Sequence, residues 1–166
     1  MTRSSIDKPS MEHDMAIFHG DFHETFTTSA SPSNARDTFG NLDAIITNYG
    51  DLERGDKLDD NTVKFLLKEQ NHGISKFQGA YTCRYTFPDE QTLIWETIGT
   101  DGNIQAEGKA TFHAETEGTK IDYHGKLAIE MKLNKMMAGM LKPVVGQMIA
   151  HEMRAYVKRM IVAAEG

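Results

Sequence analysis

From Asn134 to Ala164 the chain reads NKMMAGMLKPVVGQMIAHEMRAYVKRMIVAA. Apolar residues fall at Met137, Met140, Leu141, Val144, Val145, Met148, Ile149, Met153, Tyr156, Val157, Met160 and Ile161. Steps of three and four are the period of an amphipathic helix. Gln147, His151, Arg154 and Lys158 run down another side as a polar stripe. Pro143 removes one helical hydrogen bond, so the pattern predicts a kink there or a helix that starts there. A kink would let the first turns act as a lid.

Before this helix the period is mostly two. Ile17 to Ser29 places Phe18, Phe22 and Phe26 on alternating positions, which predicts a strand. Ala30-Ser31-Pro32-Ser33 breaks it, with Pro32 set as at the start of a helix. Ala35 to Thr47 has helical spacing at Phe39, Leu42, Ile45 and Ile46, and Gly40-Asn41 divides it into two short helices. Asp51 to Asn61 is polar and predicts a surface loop. Strands then follow at Thr62–Gln70, Lys76–Phe87, Gln91–Ile98, Ile104–Glu115 and Lys120–Leu133. Turn residues separate them, including Asp101-Gly102, which supplies positive backbone angles. Alternating faces predict an antiparallel sheet, wet on one side and covered on the other. The whole predicts an α+β layer arrangement.

Composition narrows the function classes. The formal net charge is -6, which argues against non-specific nucleic-acid binding. The sign is uneven: from Lys126 onward there are seven Lys or Arg against three Glu. That end reads as a solvated basic face or as a contact for an anionic or membrane surface, the latter not favoured. A single cysteine, Cys83, excludes an intrachain disulfide. No apolar run approaches a membrane span, and residues 1–16 lack the apolar core of a secretory signal. Those residues read as a flexible tail ahead of one domain over 17–166, with cytoplasmic residence expected.

Candidate chemistry sits on the faces. Gly79, Ala106, Gly108, Ala110 and Gly125 share the inferred inner face of the sheet. Small residues there leave space beneath a helix, or mark bulges that curve the sheet. Seven of the ten methionines lie at or beyond Met131, which fits an adaptable ligand wall as well as core. Tyr81, Tyr85 and Tyr123 would offer hydroxyls to a ligand. Glu96 lies between Ile94 and Ile98, and Glu24 between Phe22 and Phe26. Each reads as an acid or base of raised pKa, or as a member of a salt bridge with Arg84 or Arg36. The seven histidines form no metal motif, and no metal or cofactor is expected. His113 and His124 read as neighbours in solvent. Nothing beside Cys83 activates its thiol.

The chain resembles the helix-grip superfamily of START lipid-transfer domains, birch-pollen-allergen-like proteins and polyketide cyclase/dehydrase-like proteins (SRPBCC). Thr25-Phe-Thr-Thr-Ser-Ala-Ser-Pro-Ser33 with Arg36 and Phe39, the strands from Thr62 to Leu133, and Met140-Leu141-Lys142-Pro143 carry the likeness. At the place of the pollen-allergen branch's glycine-rich loop stands Asn71-His72-Gly73-Ile74. The resemblance implies a curved antiparallel sheet of six or seven strands wrapped around the long C-terminal helix, with a hydrophobic cavity between them. The expected walls are Phe65, Leu67, Tyr81, Tyr85, Ile94, Glu96, Ala106, Gly108, Ala110, Phe112, Tyr123 and Leu127 from the sheet. From the helix they are Met137, Met140, Leu141, Val144 and Met148. The expected partner is a small lipid, sterol or polyketide-like molecule. Two other readings stay open: a cyclase/dehydratase using Glu96 or Glu24 with the tyrosines, and an interaction module using the basic helix.

Overall fold

The chain is described by a computed structural model over residues 14–71 and 76–166. The expected tail lies largely outside the described residues. Strand β1 (Asp14–Thr28) begins three residues earlier than its hydrophobic pattern predicts. It pairs along its whole length with β9 (Gly118–Leu133), from Asp14 opposite Leu133 to Thr28 opposite Thr119. Backbone pairing needs no apolar side chain, which is why periodicity misses the first residues.

After β1 come two short helices, α1 (Pro32–Phe39) and α2 (Leu42–Asn48). Ser31 caps α1 by accepting from the Asn34 N–H, and Asn41 caps α2 by accepting from the Ala44 N–H. Each cap satisfies a donor that the first helical turn leaves open. The predicted corner at Gly40-Asn41 is therefore one helix's end and the next helix's cap.

Next is β2 (Leu52–Asp59), where the sequence predicts a loop. It is an edge strand, paired on one side only, with β3 (Thr62–Leu67). Most of its side chains are solvated, so no alternation marks it. Charge along an edge protects it from pairing with another chain. A small ribbon of β4 (Gln70–Asn71) and β5 (Lys76–Phe77) follows, and most of the predicted Asn71–Ile74 turn falls outside the described residues. The sheet continues through β6 (Ala80–Asp89), β7 (Thr92–Thr97) and β8 (Ile104–Glu115). The expected strand Lys76–Phe87 is interrupted at Gln78-Gly79. There Asn103 intervenes, accepting from Ala80 N–H at 2.9 Å and donating to the Gln78 carbonyl at 3.0 Å.

The seven main strands are antiparallel in the order β1-β9-β8-β7-β6-β3-β2. Helix α3 (Lys135–Glu165) covers one face, lying mainly over β1 at the sheet's end, with α1 and α2 against it. This is the helix-grip arrangement. Asn134 caps α3 by accepting from Met137 N–H, and the helix runs through Pro143 rather than starting there. Ala138, Val145, Ile149, Val157 and Met160 are its buried seam. Burying each larger side chain of this set contributes about 1.5–3 kcal/mol. At the far end Thr28 Oγ1 donates to Glu165 Oε1 at 2.9 Å and the Ser29 N–H donates to the same oxygen.

Gly20 permits the closest approach of α3 to β1. A Cβ at that position would run into the Ile149 side chain. Gly20→Ala should therefore lower folding free energy by about 1–3 kcal/mol in urea denaturation. Gly139→Ala, in the first turns of α3 with open space around it, should raise it by about 0.5–1 kcal/mol. Equal effects at the two sites would show that α3 does not rest on β1 at Gly20.

Candidate functional site

Because α3 lies over β1, the middle of the sheet is not fully covered. A cavity of about 320 Å3 opens there. Leu67, Tyr81, Cys83, Tyr85, Leu93, Trp95, Ile104, Ala106, Tyr123, Leu127, Ile129 and Met131 face it from the sheet side. Leu141, Val144, Val145, Met148, Ile149, Met153 and Tyr156 face it from α3. Phe39, Tyr49 and Phe77 contribute further apolar surface, and Gly50 lies at the same lining. The polar contributors are Asp51, Gln70, Lys126, Glu152 and Arg159.

All five tyrosines of the chain, its only tryptophan and its only cysteine border this space. The rings support one another: Trp95 and Tyr123 centroids are 4.9 Å apart, and Phe65 bridges Tyr49 at 4.9 Å and Tyr81 at 5.0 Å. The Tyr49 and Tyr81 hydroxyls share a hydrogen bond of 2.7 Å. Burial drives the phenol pKa values upward. Tyr49 is pushed to about 12, partly relieved by Tyr81, and burial likewise raises Tyr81, Tyr85, Tyr123 and Tyr156. These side chains are thus neutral hydroxyls in any physiological solution. Burial also pushes the Cys83 thiol to about 12, which removes thiolate chemistry.

One polar group in the lining lacks a partner. Arg159 donates from Nε to the Asn48 carbonyl at 2.8 Å. Its Nη2 is buried and, among the described residues, finds no acceptor. A buried donor left unpaired costs about 1–3 kcal/mol, more when charged.

The expected site residues divide. Leu67, Tyr81, Tyr85, Ala106, Tyr123, Leu127, Leu141, Val144 and Met148 border the cavity. Phe65, Ala110 and Phe112 lie fully buried in the core, Phe112 edge-on to Phe39. Gly108 is half-buried and covered by Trp95, whose ring occupies the space a side chain would take. Met140 is solvent-exposed and Met137 half-buried, and neither borders the cavity.

Strand β7 has the opposite parity to the one expected. Leu93 and Trp95 point inward, so Ile94 and Glu96 belong to the outer face, where Glu96 is exposed and opposite Arg84. Both parities of Leu93-Ile94-Trp95-Glu96 carry bulky apolar residues, so alternation alone does not choose. Burial of the large Trp95 ring decides it. Glu24 does stand on the inner face of β1, yet it does not border the cavity. Its Oε2 accepts from Arg154 Nε at 2.8 Å, a different arginine from those expected.

On the outer face His124 stacks on His23 at 4.7 Å rather than meeting His113, which sits opposite Lys120. Asp122 and Asp21 each bond one of the stacked rings, at 2.7 and 2.8 Å. Among the described residues no group of His, Cys, Asp and Glu could hold a metal ion. Nor, among the described residues, is any helix long and apolar enough to cross a membrane.

The residues missed by sequence reasoning are chiefly Tyr49, Leu93, Trp95, Tyr156 and Arg159. Tyr156 falls in the apolar helix period, and that position is a usable signal. Tyr49 follows a helix end, and Arg159 resembles any charged residue of a basic helix.

No family model matches the chain, and no curated protein sequence does. Solved structures do match it. TTHA0849 from Thermus thermophilus has a TM-score of 0.66 at 14% identity, covering 88% of this chain and 99% of that one. The Zhui aromatase/cyclase from a Streptomyces species has a TM-score of 0.67 at 10% identity, covering 89% and 94%. The di-domain aromatase/cyclase StfQ of the steffimycin biosynthetic pathway has a TM-score of 0.60 at 10% identity, covering 89% of this chain and 51% of that one. At such identities the likeness establishes the fold alone: the chain has the helix-grip fold. It does not transfer an activity.

The buried thiol and phenols give the protein a definite alkaline limit. A group whose pKa is raised on folding stabilises the folded state below its ordinary value, and the contribution is lost as pH rises through the folded value. The ordinary values are 9.0 for Cys83 and 10.0 for Tyr49, and both rise to about 12. Folding free energy should therefore fall between pH 9 and 12. Tyrosinate absorbance of the folded protein should be almost absent at pH 10. Half-ionised tyrosines at that pH, with the fold intact, would place the rings in water.

Proposed function

We propose that this protein binds a small hydrophobic molecule non-covalently between the sheet and α3, a lipid, sterol or polyketide-like compound. The observation that carries this reading is the cavity of about 320 Å3 walled by aromatic and aliphatic side chains. Such a lining, with few polar groups, is what a small-molecule pocket requires. Flat aromatic walls favour a ligand with a ring system, because offset and edge-on ring contacts add to area burial. Each Å2 of apolar ligand surface removed from water contributes about 25 cal/mol before the costs of association.

The rival readings have less support. An acid–base mechanism resting on Glu96 or Glu24 lacks its carboxylates, since neither borders the cavity. The aromatase/cyclase activity of Zhui and StfQ belongs to those proteins. A membrane or protein contact through the basic helix loses two of its charges, because Arg154 is paired with Glu24 and Arg159 bonds the Asn48 carbonyl.

Two substitutions on the same strand test the cavity. Ala106 borders it, whereas Ala110 is fully buried in close-packed core. Ala106→Leu should change folding free energy by less than about 1 kcal/mol and weaken binding of an environment-sensitive apolar dye several-fold, because the added methylenes find room. Ala110→Leu should cost about 1–3 kcal/mol through overpacking. Dye binding that is unchanged in a folded Ala106→Leu protein would remove the cavity as the binding site. Native mass spectrometry of freshly purified protein should show a retained small molecule.

A further inference from the structure

The unpartnered guanidinium nitrogen of Arg159 points to the chemistry of the ligand's polar end. The Nε bond to the Asn48 carbonyl fixes the guanidinium plane against the end of α2. With the plane held, Nη2 is buried at the cavity lining and has no acceptor among the described residues. Arginine does not give up its proton, so this nitrogen cannot adapt by becoming neutral. A buried charged donor needs an acceptor, and a ligand oxygen entering the cavity can supply the one that the described residues do not.

The surroundings restrict that acceptor. Glu152 Oε2 and Arg159 Nη2 both lie near the position a Gly50 side chain would occupy, 3.2 and 3.0 Å from it, yet Nη2 has no hydrogen bond to that carboxylate. Asp51 borders the same cavity. With Lys126 the lining carries two cations, Arg159 and Lys126, against two carboxylates, Asp51 and Glu152, so its formal charges already balance and a neutral acceptor leaves them balanced. Lys126, the other cation in the lining, stands on β9 and not on α3. A side chain at position 50 would press on both Nη2 and Oε2.

We infer that the ligand carries a neutral acceptor oxygen, a ketone, enol or phenol, that docks on Arg159 Nη2 while its apolar body lies among the tyrosines. This rests on the proposed use of the cavity and specifies the ligand's head. A hydroxyl beside that oxygen would have Glu152 Oε2 as its own acceptor. Arg159 is then a specificity-determining residue: it favours ligands that bring an acceptor over pure hydrocarbons, which leave its donor unpaired.

The test uses three probes built on one fluorescent ring: acetyl-dimethylaminonaphthalene, the same dimethylaminonaphthalene without the acetyl group, and the corresponding naphthoate. The wild-type protein should bind the ketone at least about tenfold more tightly than the acetyl-free ring, the scale of a hydrogen bond from a charged donor. It should also bind the ketone more tightly than the naphthoate. Arg159→Met should abolish the ketone preference, the ketone and the acetyl-free ring then binding with equal affinity. Gly50→Ala keeps the Asn48 bond and sets a methyl 3.0 Å from Nη2, so it should lower the same preference even if Arg159→Met fails to fold. Equal wild-type affinities for ketone and acetyl-free ring would overturn the inference, as would a preference that survives Arg159→Met. Tighter binding of the naphthoate would overturn the neutral head. Failure of all three probes to bind would instead refute the use of the cavity itself.

Discussion

Everything in this molecule depends on how one apolar sheet face is shielded from water by one helix. The sheet has seven strands, and α3 lies mainly over β1 at one end of it. The contact is close because Gly20 has no side chain to hold Ile149 away. It is fixed at the C-terminal end by Glu165, which accepts from Thr28 and Ser29. A helix seated there cannot also reach the central strands. The remaining inner face must be covered by its own large side chains, by α1 and α2, or by something that enters.

That geometry explains the concentration of rings. Between β3 and β9 the sheet face that α3 leaves open carries many of the rings. Tyr81, Tyr85, Trp95 and Tyr123 project from the sheet, and Tyr49 and Tyr156 meet them from the helical side. Buried phenols are neutral donors and acceptors, and Tyr49 and Tyr81 satisfy each other. Arg159 is the exception. Its position is set by the Asn48 carbonyl, and the energetic cost of its unpaired nitrogen is consistent with a site shaped for an occupant rather than for stability alone. The fold shared with aromatase/cyclase structures leaves the chemistry to the residues that line the cavity.

The strand pattern is legible wherever one face is dry. Strand β8 reads correctly to its last residue because Ile104, Ala106, Ala110 and Phe112 alternate with charged or polar neighbours. The pattern fails at β2, which as an edge strand is held by backbone bonds and shows little burial, and at the first residues of β1 for the same reason. It also fails at β7, where both parities are apolar and only the packing of Trp95 on Gly108 sets the face. Alternation points Glu96 inward for that reason alone.

Local periodicity and turn chemistry thus determined the element order apart from β2 and the β4–β5 ribbon, the antiparallel sheet, the two short helices and the long closing helix. Those properties rest on neighbours a few residues apart, and the sequence records them directly. Tertiary structure decided which part of the inner face stays open. Ala110 and Ala106 are equivalent in the sequence pattern, yet one is packed core and the other borders the cavity. The difference comes from where α3 and α1 lie over the sheet, a relation between elements far apart in the chain. The meeting of Tyr49, Glu152 and Arg159 around Gly50 is of the same kind: the end of one helix faces the side of another, and no local pattern in the chain encodes that approach.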